Sequence, residues 1–133
     1  MASRLLFDQL DRELQRDSGM PHAYYEILVR LSEASGRSMR MGELADILRV
    51  SRSRISHAVA RLVEAGWVRR LGATTDRRGA HAVLTDDGFA VLAAAAPGHV
   101  EGVRTHLFYQ LTMEQQEQLR TISETLLAHL RPT

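Results

Sequence analysis

A run from Ser51 to Gly88 constrains this chain more than any other, because a basic helical stretch is followed directly by a basic hairpin. In SRSRISHAVARLVEAG, Ile55, Val59, Leu62 and Val63 recur at i, i+4, i+7 and i+8, the spacing that turns one stripe of a helix toward a core. Arg52, Ser53, Ser56, His57 and Arg61 are left on the other face. Ser51 stands where its hydroxyl can take an orphan N–H of the first turn, and Gly66 offers the positive φ that stops the helix. Beyond it, Trp67 to Leu71 and His81 to Thr85 alternate as two short strands, with Gly72, Asp76 and Gly79 punctuating the loop between them.

The segment before this run supplies a partner helix. Gly42 to Leu48 reads as a short helix with Leu44, Ala45 and Leu48 inward, joined through Arg49, Val50 and Ser51 to the basic helix. Two helices joined by a brief link, then a hairpin with an Arg-Arg tip, make a winged helix-turn-helix. Its second helix suits a major groove and its tip a minor groove. Ser38 to Met41 is placed to add a third strand to the hairpin.

Charge agrees with that reading. The formal net charge is only +1, yet Arg49 to Arg78 holds eight arginines against Glu64 and Asp76, a local +6 that leaves −5 for the rest. Positive charge gathered in one block points to a polyanion as partner. With 133 residues one domain is expected. No apolar run approaches the roughly eighteen residues of a membrane span, and no secretory signal is visible. The absence of cysteine excludes disulfides, thiolate metal sites and thiol redox sensing, so the expectation is a cytoplasmic protein without membrane contact.

The flanks are helical. Leu5, Leu6, Leu10 and Leu14 stripe a first helix ending near Ser18-Gly19. A second helix, about Pro21 to Ala34 with Pro21 in its first turn, carries Tyr24, Leu28 and Leu31 on one face. After Thr85 a helix begins with acids that suit the macrodipole, and Pro97-Gly98 predicts a kink or break before it continues to about Tyr109. Thr112 and Gln115 form a capping-box pattern that opens a last helix to Leu130, striped by Leu119, Ile122, Leu126 and Leu130. The terminal helices carry apolar faces that one small subunit struggles to bury, which predicts a homodimer with Leu10 and Leu126 in a shared core.

In this order of elements the chain resembles the MarR family of bacterial winged-helix regulators. The likeness is sharpest at VSRSRISHAVARLVEAGWVRR and at TDRRGAHAVLTDDG, where Asp76, Arg78, Leu84, Thr85 and Gly88 match the family's wing signature. The resemblance implies a mainly α fold with a small β-hairpin wing. The winged helix-turn-helix lobe is expected over about 36–88, and the dimerisation helices over about 3–18 and 89–131. It further implies a homodimeric repressor on a palindromic double-stranded operator, released by a small phenolic or aromatic-acid ligand, with no catalytic activity and no cofactor.

For DNA, the candidate major-groove set is Arg52, Ser53, Arg54, Ser56, His57 and Arg61, since Arg forks to guanine O6 and N7 while Ser and His donate or accept. A solvated helix face is the plainer alternative. In the wing, the resemblance implies a minor-groove or phosphate contact by Arg78 braced by Asp76, with Arg77 a further phosphate contact, against a simple surface salt bridge. Trp67 is expected in the core where the hairpin meets the basic helix. His99 with His106, and His22 with Glu26, share helical spacing but lack the further ligands a zinc site needs. An enzyme reading fails for want of a nucleophile signature, a phosphate loop or paired carboxylates. A winged-helix protein acting mainly through protein partners is opposed by the arginine block.

The resemblance places an effector cleft where the first two helices meet the winged lobe, and Arg16, His22 and Tyr25 fall at that junction. Arg forks to a carboxylate, His adds a second bond and Tyr supplies an apolar wall, which suits an aromatic or phenolic acid. The alternative pairs Arg16 with Asp11, Glu13 or Asp17 at the surface and leaves His22 exposed.

Overall fold

The structure is a computed structural model and describes residues 1–72 and 79–131. Six helices and one small sheet follow the expected order: α1 (Ala2–Ser18), α2 (His22–Glu33), a 3-10 turn (Ser35–Arg37), β1 (Ser38–Arg40), α3 (Met41–Leu48), α4 (Arg52–Glu64), β2 (Val68–Leu71), β3 (His81–Leu84), α5 (Asp86–His106), a second 3-10 turn (Phe108–Gln110) and α6 (Met113–Leu130). Among the described residues no helix is long and apolar enough to cross a membrane.

The hairpin gains its third strand, with β3 in the middle of an antiparallel sheet of order β1-β3-β2. Met39 faces Ala82 across one ladder, and Val68 faces Leu84 across the other. Alternation sends Ala82 and Leu84 inward, where they meet Leu28, Leu31, Leu44, Val59 and Leu62, each at most 4% exposed. Complete burial of one such side chain stabilises the fold by about 2 kcal/mol. Trp67 packs, partly buried, against the same core.

The Leu84, Thr85 and Gly88 signature has a mechanical explanation. Thr85 Oγ1 accepts the Gly88 N–H at 3.0 Å, capping α5, and donates to the Gly66 carbonyl at 2.7 Å. A Cβ on Gly88 would lie 2.1 Å from the Trp67 carbonyl oxygen, so only glycine lets α5 start this close to β2. Arg37 adds a second tie, its guanidinium 4.1 Å from the centre of the Phe89 ring and 3.5 Å from Asp86.

Several local expectations shift. Pro21 stands at the N-cap of α2 with ψ 151°, one residue ahead of the first helical turn, and its carbonyl accepts from Tyr24 and Tyr25. Tyr25 and Ile27 are buried while Tyr24 is only half so. Val63 is 39% exposed, because it lies at the edge of the stripe that Ile55, Val59 and Leu62 bury. α5 runs unbroken through Pro97. The ring is exposed, and Leu92, Ala95 and Gly102 bury the opposite face, so packing along α5 offsets the roughly 3 kcal/mol that an interior proline costs. Leu10 is buried within the chain, against α5 beside Gly102. α6 opens with the full capping box, Thr112 taking the Gln115 N–H and Gln115 returning to the Thr112 N–H. It has no buried residue.

Candidate nucleic-acid interface

The turn that aims α4 is built from backbone geometry. Arg49 adopts a left-handed conformation at φ 57°, and the N–H groups of Arg49 and Val50 return to the carbonyls of Asp46 and Ala45. This closes α3 with the paired bonds of a Schellman motif, although the usual glycine is replaced by arginine at a cost on the order of 1 kcal/mol. Val50 packs on the core, and Ser51 Oγ then accepts the Arg54 N–H at 3.1 Å to start α4.

Ile55, Val59 and Leu62 hold α4 down, each at most 2% exposed. Arg52, Ser53, Arg54, His57 and Arg61 are exposed on the far side, and Ser56 is half-buried. Five of the six major-groove candidates thus share one open face. They are not equally free: Arg61 pairs with Glu64 at 3.3 Å, and the Arg52 guanidinium lies over Gly42, where a Cβ would come within 3.3 Å of it. Arg54 has no ion-pair partner among the described residues. Arg69 and Arg70 are exposed on β2 and extend the basic surface toward the wing; they belong to the charge block but were not in the candidate set. Asp76, Arg77 and Arg78 lie outside the described residues.

At the other junction, His22 and Tyr25 come together with ring centres 6.3 Å apart. His99 of α5 joins them, 5.3 Å from His22 and 4.6 Å from Tyr25. No local signal places His99 there, because the contact depends on how α5 packs across α2. Burial lowers the His99 pKa and raises that of Tyr25. Arg16 is not brought to this cluster: its guanidinium pairs with Asp17 at 2.8 Å, in the open. Arg30 instead lines the cavity of about 300 Å³ beside His22, Tyr25 and His99. His22 lies 3.8 Å from Glu26, and His106 bonds Glu13 at 2.6 Å. Among the described residues no three acids or histidines are placed to hold a metal ion.

The family model described as the MarR family matches residues 18–79. Sco3205 of Streptomyces coelicolor, a MarR family transcriptional regulator solved in complex with DNA, is 52% identical, with 99% of this chain and 82% of that one covered at a TM-score of 0.92. The chain belongs to the MarR family. AbsC, a MarR family regulator from the same organism, is 42% identical over 98% of this chain and 87% of its own, at a TM-score of 0.89. The HTH-type transcriptional regulator PecS of Dickeya dadantii is 31% identical over 66% of this chain, and the chain spans 52% of its length. The MarR family is one of transcriptional regulators rather than enzymes, and the mainly helical fold with a three-stranded wing sheet is that of its solved members.

Proposed function

We propose that this MarR-family regulator binds double-stranded DNA through α4 and the wing, as a homodimeric repressor on a palindromic operator. The observation that carries the reading is the face of α4. Ser53, Arg54 and His57 stand in the open while Ile55, Val59 and Leu62 fix the helix behind them. Arg54 takes the base-reading role by forking to a guanine edge. Arg61, Arg69, Arg70 and, in the wing, Arg77 and Arg78 take phosphate, with Asp76 orienting Arg78. The Sco3205 complex with DNA supports the assignment at 52% identity.

The dimer is assigned to α1, α5 and α6. Ile122, Leu126 and Leu130 are 57%, 54% and 70% exposed, and a second copy would cover them. Half-sites are then expected about 34–36 Å apart. The effector, a small aryl carboxylate, is assigned to the cavity of His22 and Tyr25, where Arg30 and His99 replace Arg16 as its partners and the carboxylates of Glu26 and Glu33 also line the wall.

Fluorescence anisotropy on duplexes from the DNA flanking the gene tests this. Log K is expected to fall with log salt by about 0.9 per phosphate neutralised. Arg54→Ala changes the preferred base, whereas Arg78→Ala weakens all sequences alike. A flat salt dependence, or no preference among duplexes, overturns the reading.

A further inference from the structure

We infer that Gly42 and Arg52 act as one unit, in which the missing side chain of Gly42 lets the Arg52 guanidinium rest on α3 and hold a single DNA phosphate in each half-site. The inference deepens the reading of α4 as the DNA-contacting helix and rests on it. Arg52 thereby leaves the base-reading group. Gly42, which no pattern in the sequence singles out, becomes its positioning residue.

Arg52 is exposed, as Ser53, Arg54 and His57 are, but it leaves α4 in another direction. At about 100° per residue, Arg52 comes within about 20° of Val59, which is wholly buried, while His57 projects about 140° round the helix from it. Arg52 escapes burial because it stands at the very start of the helix, and its side chain reaches the first turn of α3. A Cβ on Gly42 would lie 3.3, 3.5 and 3.8 Å from its Nη2, Cζ and Nε atoms. Three atoms at such similar distances mean that the guanidinium lies broadside over the glycine, not end-on.

The backbone does not call for glycine here. Gly42 lies in the first turn of α3 without a positive φ, where alanine would favour the helix. What glycine supplies is the space that the guanidinium occupies. Arg52 has no ion-pair partner among the described residues, and Glu43, the acid next to Gly42, lies 4.0 Å from Arg40 instead. The guanidinium is therefore held in place and left unneutralised, so it loses less rotamer freedom on taking an anion. In a helix-turn-helix the first helix crosses the DNA backbone, while the start of the second reaches base edges. A guanidinium resting on α3 thus meets the backbone, and its anion is a phosphate.

Fluorescence anisotropy of the full chain on its duplex, with single phosphates replaced in turn by uncharged methylphosphonates, tests the pair. One replacement in each half-site is expected to weaken the unsubstituted protein about fivefold or more and to leave Arg52→Ala unaffected. Arg52→Ala itself lowers affinity by a similar factor and flattens the slope of log K against log salt by about 0.9 for each half-site. It keeps the order of preference among base-substituted duplexes. Gly42→Leu gives the same loss and the same change of slope, and combining it with Arg52→Ala adds nothing to Arg52→Ala alone. Gly42→Ala gives a smaller loss of DNA affinity with a Tm at or above that of the unsubstituted protein, and serves where Gly42→Leu fails to fold. A changed base preference in Arg52→Ala, additive losses in the double variant, or no phosphate whose replacement Arg52→Ala masks each overturns the proposal. Absence of DNA binding by the unsubstituted protein overturns the reading beneath it as well, whereas binding that the Arg52 and Gly42 variants leave untouched overturns this proposal alone.

Discussion

The winged lobe and the last helix both carry leucine and use it in opposite ways. In the lobe and in α2 packed against it, Leu28, Leu31 and Leu44 are wholly buried within the one chain. In α6, Leu119, Ile122, Leu126, Leu127 and Leu130 are all at least 39% exposed, although the helix is well capped and Arg120 pairs with both Glu117 and Glu124. Good ends and surface ion pairs make a helix permissible, but an isolated helix of this length is marginal in water without a packed face. The lobe has its core inside the chain, whereas α6 carries a stripe still to be covered.

Leucine truncation should divide the two regions most sharply. Leu28→Ala is expected to cost roughly 2–5 kcal/mol by urea denaturation at any protein concentration. Leu126→Asp is expected to act on assembly: sedimentation shows a lighter species, and the concentration dependence of the unsubstituted protein's Tm disappears. If Leu126→Asp left the oligomer intact, the stripe on α6 would not be an interface.

Gly88→Ala comes next. The added methyl meets the Trp67 carbonyl, a backbone atom that cannot swing aside, so α5 must shift away from β2. A loss of about 3 kcal/mol is expected, with weaker DNA binding because the wing strands are anchored at the same place. Gly98→Ala is the control within α5, since nothing lies within 4 Å of the position its Cβ would take. Helix propensity alone favours alanine at both positions, so equal losses from the two would show that the close approach to Trp67 does not govern the site.

The caps offer a finer contrast. Ser51→Ala removes the acceptor for the Arg54 N–H and is expected to cost about 1 kcal/mol of global stability, since α4 is integral to the core. Thr112→Ala removes the matching bond at Gln115, but α6 adds no buried residue to the chain's own core. Its loss should therefore appear in hydrogen exchange of the first turns of α6 before it appears in the denaturation midpoint. A global loss as large as that of Ser51→Ala would mean that α6 is as integral as α4.

What could be read from the sequence follows the range of the forces involved. Ser51 as cap and the capping box at Thr112 depend on neighbours a few residues away, and the structure has both; the third strand at Ser38–Arg40 is also present, although its partner β3 lies far along the chain. The outward face of α4 follows from helical period alone. Pro97 does not break α5, because the penalty is local while the compensation, Leu92, Ala95 and Gly102 packed on one side of α5, is tertiary. Arg16 takes the surface pairing that stood as its alternative, because a near neighbour, Asp17, holds the guanidinium. His99 is invisible to any local pattern, and so is the descent of Leu10 onto α5 at Gly102, where a Cβ would come within 2.8 Å of Glu13.

The smallest effect separates the lobe from the seam between α1 and α5. The core has no buried polar or charged residue among those described, so acid finds little to titrate there. The seam holds His99 and Glu13. Burial first, and then the nearby charge of His22, holds the His99 pKa below its ordinary 6.5, with Glu13 and Glu26 opposing. The folded chain therefore binds fewer protons than the unfolded one as pH drops below about 6.5, and the contribution of neutral His99 is lost as pH falls through its depressed value. The hydrogen bond to His106, foremost, holds Glu13 below its ordinary 4.5, so its contribution is present above about 4.5 and is lost on further acidification. Two shallow steps are expected in urea midpoints measured from about pH 7.5 to 3.5, both small because both groups are partly solvated. His99→Phe should remove the upper step and Glu13→Gln the lower, while Leu28→Ala lowers the whole profile and preserves both. A profile that stays flat down to about pH 5, or one in which His99→Phe leaves the upper step in place, would locate the acid sensitivity elsewhere than this seam.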